Sequence, residues 1–184
     1  MKYSPTTLPK LLYNGLKKYP DERFSVTKRD GGWIKTSLGE FQEMVRHFAM
    51  GLYELGVRPG DKVSIHSENS SEWLICDLAI LSIGAANVPI YSTQPGDQIK
   101  YILENSESKV HIVSDDEMFA ETKSLIKEIE SVKAVIILTP SKHKKLKQFE
   151  DVIQSGKEYE KKYPDLFEEL KNSVDPEDLA TLIY

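Results

Sequence analysis

With 184 residues, 40% apolar and 29% charged, the chain has the make-up of one globular domain, able to bury about 70% of the surface its unfolded form exposes. A net charge of −5 argues against a dedicated nucleic-acid binder, which carries a basic surface. The single cysteine, Cys76, excludes an intrachain disulfide, and its apolar setting from Trp73 to Ala79 predicts a buried small hydrophobe in a reducing compartment rather than a nucleophile.

The N-terminal stretch MKYSPTTLPKLLYNGLKKYPDE lacks the continuous apolar centre of a secretory signal, and no run of about 18 apolar residues is present to span a bilayer. The expected location is cytoplasmic, with peripheral membrane contact left open.

In chain order, residues 6–19 place Leu8, Leu11, Leu12, Leu16 and Tyr19 at helical spacing, and Pro20-Asp21 stops the helix. The stretches 23–28 and 33–36 flank Arg29-Asp30-Gly31-Gly32, a hairpin signal. Ser37 and Glu40 form a capping box for a helix with a stripe of Phe41, Val45, Phe48, Leu52 and Leu55, and Gly56 suits a left-handed stop. Residues 62–66 read as a strand. Asn69-Ser70-Ser71-Glu72 is a second candidate capping box, opening a helix to about Ile83 that is apolar nearly all round.

Beyond Gly84, strands at 86–91, 109–113 and 134–138 alternate with helices opened by Gln94-Pro95 and by Ser114-Asp115-Asp116-Glu117. Pro89 inside the first of these implies a strand end or an unpaired amide. The alternation predicts an α/β fold with a largely parallel sheet and flanking helices. Residues 180–184, Ala-Thr-Leu-Ile-Tyr after the capped turn Asp175-Pro176-Glu177-Asp178, are a candidate fifth strand. The chain thus divides into a helix–hairpin–helix preface (1–55), a βαβ region (56–138), and an irregular or helical segment with a final strand (139–184).

Few residues offer chemistry. His66 and His111 lie at or near strand ends, where open parallel sheets gather ligands, although a hydrogen-bonded structural role is the stronger reading. His47 and His143 are not spaced with them as metal pairs. Ser64, Ser67, Ser70 and Ser71 crowd one strand end without a Gly-x-Ser-x-Gly elbow, and capping accounts for Ser70 and Ser71. Asp115-Asp116 has the look of a metal-binding carboxylate pair, but a helix cap explains it better. The basic run from Lys142 to Lys147 reads as a solvated loop. No Gly-x-Gly-x-x-Gly and no Walker lysine is present.

Several stretches together resemble the N-terminal part of an AMP-forming acyl-CoA synthetase of the adenylate-forming superfamily. They are YPDERFSV, then KTSLGEFQEMVRHFAMGLYELGVRPGDKVSIHSENSSEWLICDLAILSIGAANVPIYSTQPGDQIKYILENSESKVHIVSD. Within them lie a Leu-x-Glu-Phe helix, a Gly-Val-x-x-Gly-Asp-x-Val lead-in and Gly-Ala-x-x-Val-Pro, and VPIYSTQPGDQIKYIL is most similar to the long-chain fatty acid branch. The resemblance runs from about Tyr19 to Tyr184. It implies a parent that joins a long-chain fatty acid to CoA through an acyl-adenylate, using ATP and magnesium and releasing AMP and pyrophosphate, with a homodimer of the parent left open.

In such a family DLATLIY leads into the Thr/Ser/Gly-rich phosphate loop, so that loop and the later motifs are expected beyond Tyr184. No catalytic, cofactor-binding or metal-binding residue is therefore carried onto this chain, and residues 1–184 alone are expected to be inactive. The matching motifs are framework motifs, with Gly84 permitting a tight helix-to-strand turn and Pro89 setting the path after it. The alternative is a free-standing flavodoxin-like or receiver-like binding module.

Overall fold

The computed structural model describes residues 6–18, 24–29 and 31–184. The helix stop at Pro20-Asp21 and the turn residue Asp30 lie outside the described residues. Helix α1 (Leu8–Lys18) leads to a hairpin of β1 (Ser25–Arg29) and β2 (Gly32–Thr36), and Gly31 takes the positive φ of 80° that the turn requires. Helix α2 (Leu38–Glu54) starts on the expected capping box: Glu40 N–H donates to Ser37 Oγ at 3.2 Å, and Ser37 N–H donates to Glu40 Oε2 at 2.8 Å.

The main sheet is parallel and five-stranded, in the order β4 (Ala86–Ile90), β3 (Lys62–His66), β5 (Val110–Val113), β6 (Ala134–Ile137), β7 (Lys147–Gln148). Helices α3 (Ser71–Ser82), α4 (Gly96–Ser106) and α5 (Asp116–Ile126) make the crossovers, and α6 (Phe149–Lys162) and α7 (Leu166–Ser173) follow β7. The α/β reading with a parallel sheet behind a helix–hairpin–helix segment is what the structure shows.

Alternation sends Val63, Ile65, Val110, Ile112 and Ile136 to one face of the sheet, where they form one core with α2, α3, α6 and α7. Helix α6 lies close on α2 through two glycines. A Cβ at Gly156 would run into the carbonyl of His47, and one at Gly51 would run into the carbonyl of Val152. The ring of Phe48 packs 5.0 Å from that of Phe149 beside this crossing. The opposite face carries Val88, Ile90, Val113 and Ile137 against α4, α5 and their connections, in two smaller apolar clusters.

The fifth strand differs from expectation. It is the two-residue β7, not 180–184, which contributes one bridge, Asn87 to Thr181. Asn87 N–H donates to Ala180 O and Leu182 N–H donates to Asn87 O, both at 2.9 Å. The next outward-facing amide on β4 belongs to Pro89, which has no N–H, so the ladder stops there.

Candidate functional site at the carboxyl ends of the strands

Strand β3 pairs with β4 on one side and β5 on the other. Helix α3 packs on one face, whereas α4 and α5 pack on the other. Successive crossovers therefore leave β3 in opposite directions, and a crevice opens at the carboxyl ends where the order reverses. This end of the sheet delivers His66 and Ser67 from β3, Ser114 and Asp115 from β5, and Tyr91 and Ser92 from β4.

The structure brings His66 and His111 together. Both are fully buried, with rings stacked 6.2 Å apart on the α4/α5 face. His111 Nδ1 shares a 2.8 Å hydrogen bond with Ser64 Oγ, and its Nε2 is buried without a partner among the described residues. Among the described residues neither nitrogen of His66 has a partner at hydrogen-bond geometry, although the Ser92 backbone lies near enough to favour the charged ring slightly. Burial lowers the pKa of both rings, that of His111 to about 3 with the neighbouring His66 adding to the effect. Both are neutral in the folded protein at physiological pH.

A hydroxyl against an imidazole is the start of a nucleophile–base pair, and the 47-residue separation of Ser64 and His111 hid it from motif reading. Here Ser64, His66 and His111 are all sealed from solvent, so no substrate reaches them, and they form a polar seam inside the fold. The signal that would have found it is register. Ser64 sits opposite His111, so alternation puts both side chains on one face.

The other candidates disperse. Ser70 caps α3, accepting from Trp73 N–H at 3.0 Å. The expected box with Asn69 at its head does not form. With Ser70 as cap, the third helical position is Trp73, and Glu72 adds favourable charge to the helix start. Ser71 Oγ instead holds the hairpin, at 2.9 Å from Ser25 Oγ and 2.6 Å from Thr27 Oγ1. Ser67 bonds the Glu68 carbonyl.

Asp115 caps α5, accepting from Glu117 and Met118 N–H at 3.0 Å, and Asp116 accepts from Ser141 Oγ at 2.5 Å. Cys76 is fully buried and its thiol pKa is pushed well up by burial and then by Asp77. Lys142, Lys144 and Lys145 are exposed around buried Leu146, and the His143 ring stands 5.3 Å from Phe119.

One contact was missed altogether. Asn87 Nδ2 donates to Asp77 Oδ1 at 2.8 Å, tying α3 to the residue that holds the 180–182 backbone. Burial raises the Asp77 pKa, and the Asn87 bond opposes the rise. Gly84 turns α3 into β4 at φ 71°, and its carbonyl accepts from Gly60 N–H at 2.8 Å. A cleft of about 220 Å³ remains open at the strand ends, lined by Ser67, Glu68, Trp73, Tyr91, Ser92 and Ile183.

These residues do not fit the phosphates or magnesium of ATP on their own. The four positive-φ glycines among the described residues, 31, 56, 60 and 84, all sit in turns between elements. Among the described residues no group of three or more His, Cys, Asp or Glu side chains is arranged to hold a metal ion. Among them, too, no helix is long and apolar enough to cross a membrane.

Comparison with known proteins supplies what the geometry leaves open. The long-chain-fatty-acid–CoA ligase FadD15 of Mycobacterium bovis is 42% identical over 95 residues, covering 52% of this chain and 15% of that protein. The long-chain-fatty-acid–CoA ligase ACSBG2 of Xenopus laevis is 27% identical over 184 residues, covering 98% of this chain and 24% of that protein. Among solved structures, coronafacic acid ligase from Pectobacterium brasiliense superposes with a TM-score of 0.75 at 19% identity, covering 97% of this chain and 33% of that one, a likeness of fold. The chain thus spans a quarter or less of the length of these two curated relatives. The family of AMP-binding enzymes matches residues 13–184, and the chain belongs to that family.

Proposed function

We propose that these 184 residues are the framework portion of an ATP-dependent long-chain fatty acid–CoA ligase. The parent converts fatty acid and ATP to an acyl-adenylate and pyrophosphate, and CoA thiol then displaces AMP. The carrying observation is the family match over 13–184 combined with relatives named as long-chain-fatty-acid–CoA ligases. Within that reading, the segment Ala180–Leu182, clamped on Asn87, directs the chain out of the sheet toward the segment that binds ATP. ATP, magnesium and CoA are held by the parent's further residues, and a homodimer of the parent is part of the same reading.

An ATP–pyrophosphate exchange assay with a long-chain fatty acid tests it. A longer protein carrying this sequence is expected to exchange pyrophosphate in a fatty-acid-dependent way, and residues 1–184 alone to give none. No exchange by the longer protein overturns the ligase reading, and exchange by residues 1–184 overturns the framework reading.

A second reading, a free-standing binding module, is favoured by one observation. Numbered within the sheet, the strand order is 2-1-3-4-5, that of flavodoxin-like and receiver-like domains. It requires a reading frame that ends at Tyr184. A frame that continues with Ser, Thr and Gly and a closing Lys removes it.

A further inference from the structure

Charge is distributed unevenly along the chain. Residues 1–36 contain eight lysines and arginines against three acids, net +5, whereas residues 37–184 contain sixteen against twenty-six, net −10. An asymmetry of this kind is a signature of an anionic partner for the basic part. The hairpin gives it a surface. Its strands pair only with each other, in the register Val26 opposite Lys35 and Lys28 opposite Trp33. Alternation therefore puts Val26, Lys28, Trp33 and Lys35 on one face, while Ser25 and Thr27 face the protein and are held by Ser71. Trp33 is 67% exposed, and Phe24 packs on Phe41 to fix the hairpin base. Among the described residues neither Lys28 nor Lys35 meets a carboxylate.

We infer that this outward face of the β1–β2 hairpin is a contact for an anionic phospholipid surface. Two lysine ammonium groups alternate with an indole and a valine on one exposed face, with no carboxylate partner among the described residues. A plane of lipid phosphates meets such a face without any fixed register. The indole suits the headgroup level, and lysine stems extend along apolar surface while their heads stay with the phosphates. The net negative charge of residues 37–184 favours an approach with the N-terminal, basic side toward the anionic surface. This inference rests on the hairpin alone and stands whether or not the ligase reading does.

Co-sedimentation with vesicles of phosphatidylcholine, with and without phosphatidylserine, tests it on the 184-residue chain. Binding is expected with phosphatidylserine, weakening as salt rises. Lys28→Gln with Lys35→Gln is expected to lower the partition coefficient about thirtyfold, and Trp33→Ala several-fold. Lys144→Gln with Lys145→Gln, on the separate basic loop, is expected to leave it unchanged. In a Trp73→Phe background, Trp33 emission is expected to shift to the blue on vesicle addition. Lys28, Trp33, Lys35, Lys144 and Lys145 are exposed, Trp73 is half-buried against the core, and circular dichroism shows whether each variant remains folded. Equal sedimentation with pure phosphatidylcholine overturns the inference, as does undiminished binding by the folded lysine variant. So does hairpin-dependent binding to DNA or polyglutamate as strong as to the anionic vesicles, which assigns the face to a different partner.

Discussion

The two faces of the five-stranded sheet solve the burial problem differently. Under α2, α3 and α6 the sheet is apolar except at Asn87 of β4, which bonds Asp77 of α3, and the helix packing is set by the Gly51–Gly156 crossing and large side chains such as Phe48 and Ile112. Under α4 and α5 the apolar layer is split in two by Ser64, His66 and His111. The first face draws on close packing and fails when volume changes. The second contains rings that must stay neutral and fails when protons are added. The same strands serve both, because alternate residues point to opposite sides.

The comparison breaks most visibly at Phe48. Phe48→Ala is expected to cost about 4 kcal/mol, measured by urea unfolding at neutral pH, because a buried ring is replaced by a cavity. Gly156→Ala is expected to cost about 3 kcal/mol. The added methyl meets the backbone of His47, lies 2.5 Å from Gly51 N, and can be relieved only by moving α6 off α2. A cost below about 1 kcal/mol, the usual scale of a tolerated substitution, would show that the crossing is not tight.

The other face responds to acid. A histidine with a folded pKa near 3 and an unfolded value of 6.5 stays neutral in the native state while the unfolded chain takes up a proton. Stability therefore falls as pH drops through 6.5 and goes on falling toward 3. For His111 the loss from pH 7 to pH 5 is about 2 kcal/mol, and His66, shifted in the same direction, adds to it. His111→Leu should flatten that dependence while lying within about 1 kcal/mol of the parent at pH 7, since the buried ring makes one hydrogen bond. An unchanged pH profile in the variant would place the acid sensitivity elsewhere.

The smallest effect lies at the start of α2. Ser37→Ala removes the acceptor for Glu40 N–H and is expected to lower the melting midpoint by the equivalent of about 1 kcal/mol. Because Ser37 Oγ also donates to Glu40 Oε2 and, after the Ser37 backbone amide, helps hold that carboxyl below its usual range, the variant should also lose slightly less stability as pH falls through the carboxylate range.

Much of the fold was legible because its signals are local. The capping box at Ser37, the left-handed stop at Gly56 and the turn at Gly84 depend on residues a few positions apart, and each lies where expected. The framework motifs that carry the family resemblance are of the same kind. Helices α6 and α7 were harder to read, because charged residues crowd the stretch and mask an apolar stripe of Phe149, Val152, Phe167 and Leu170 that has meaning only against α2 and the sheet. The short β7 could not be foreseen, since a two-residue strand carries no periodicity.

The sequence by itself determined the element types as far as β6 and the parallel sheet, because caps and apolar period act within a few residues, and its framework motifs carried the family resemblance. Only the tertiary structure decided which distant residues meet: Ser64 with His111, Asp77 with Asn87, Gly51 with Gly156. Only it placed Pro89 where the bridge to Thr181 ends. Those outcomes depend on strand order and register, which bring together groups up to about a hundred residues apart and leave no local mark on the chain.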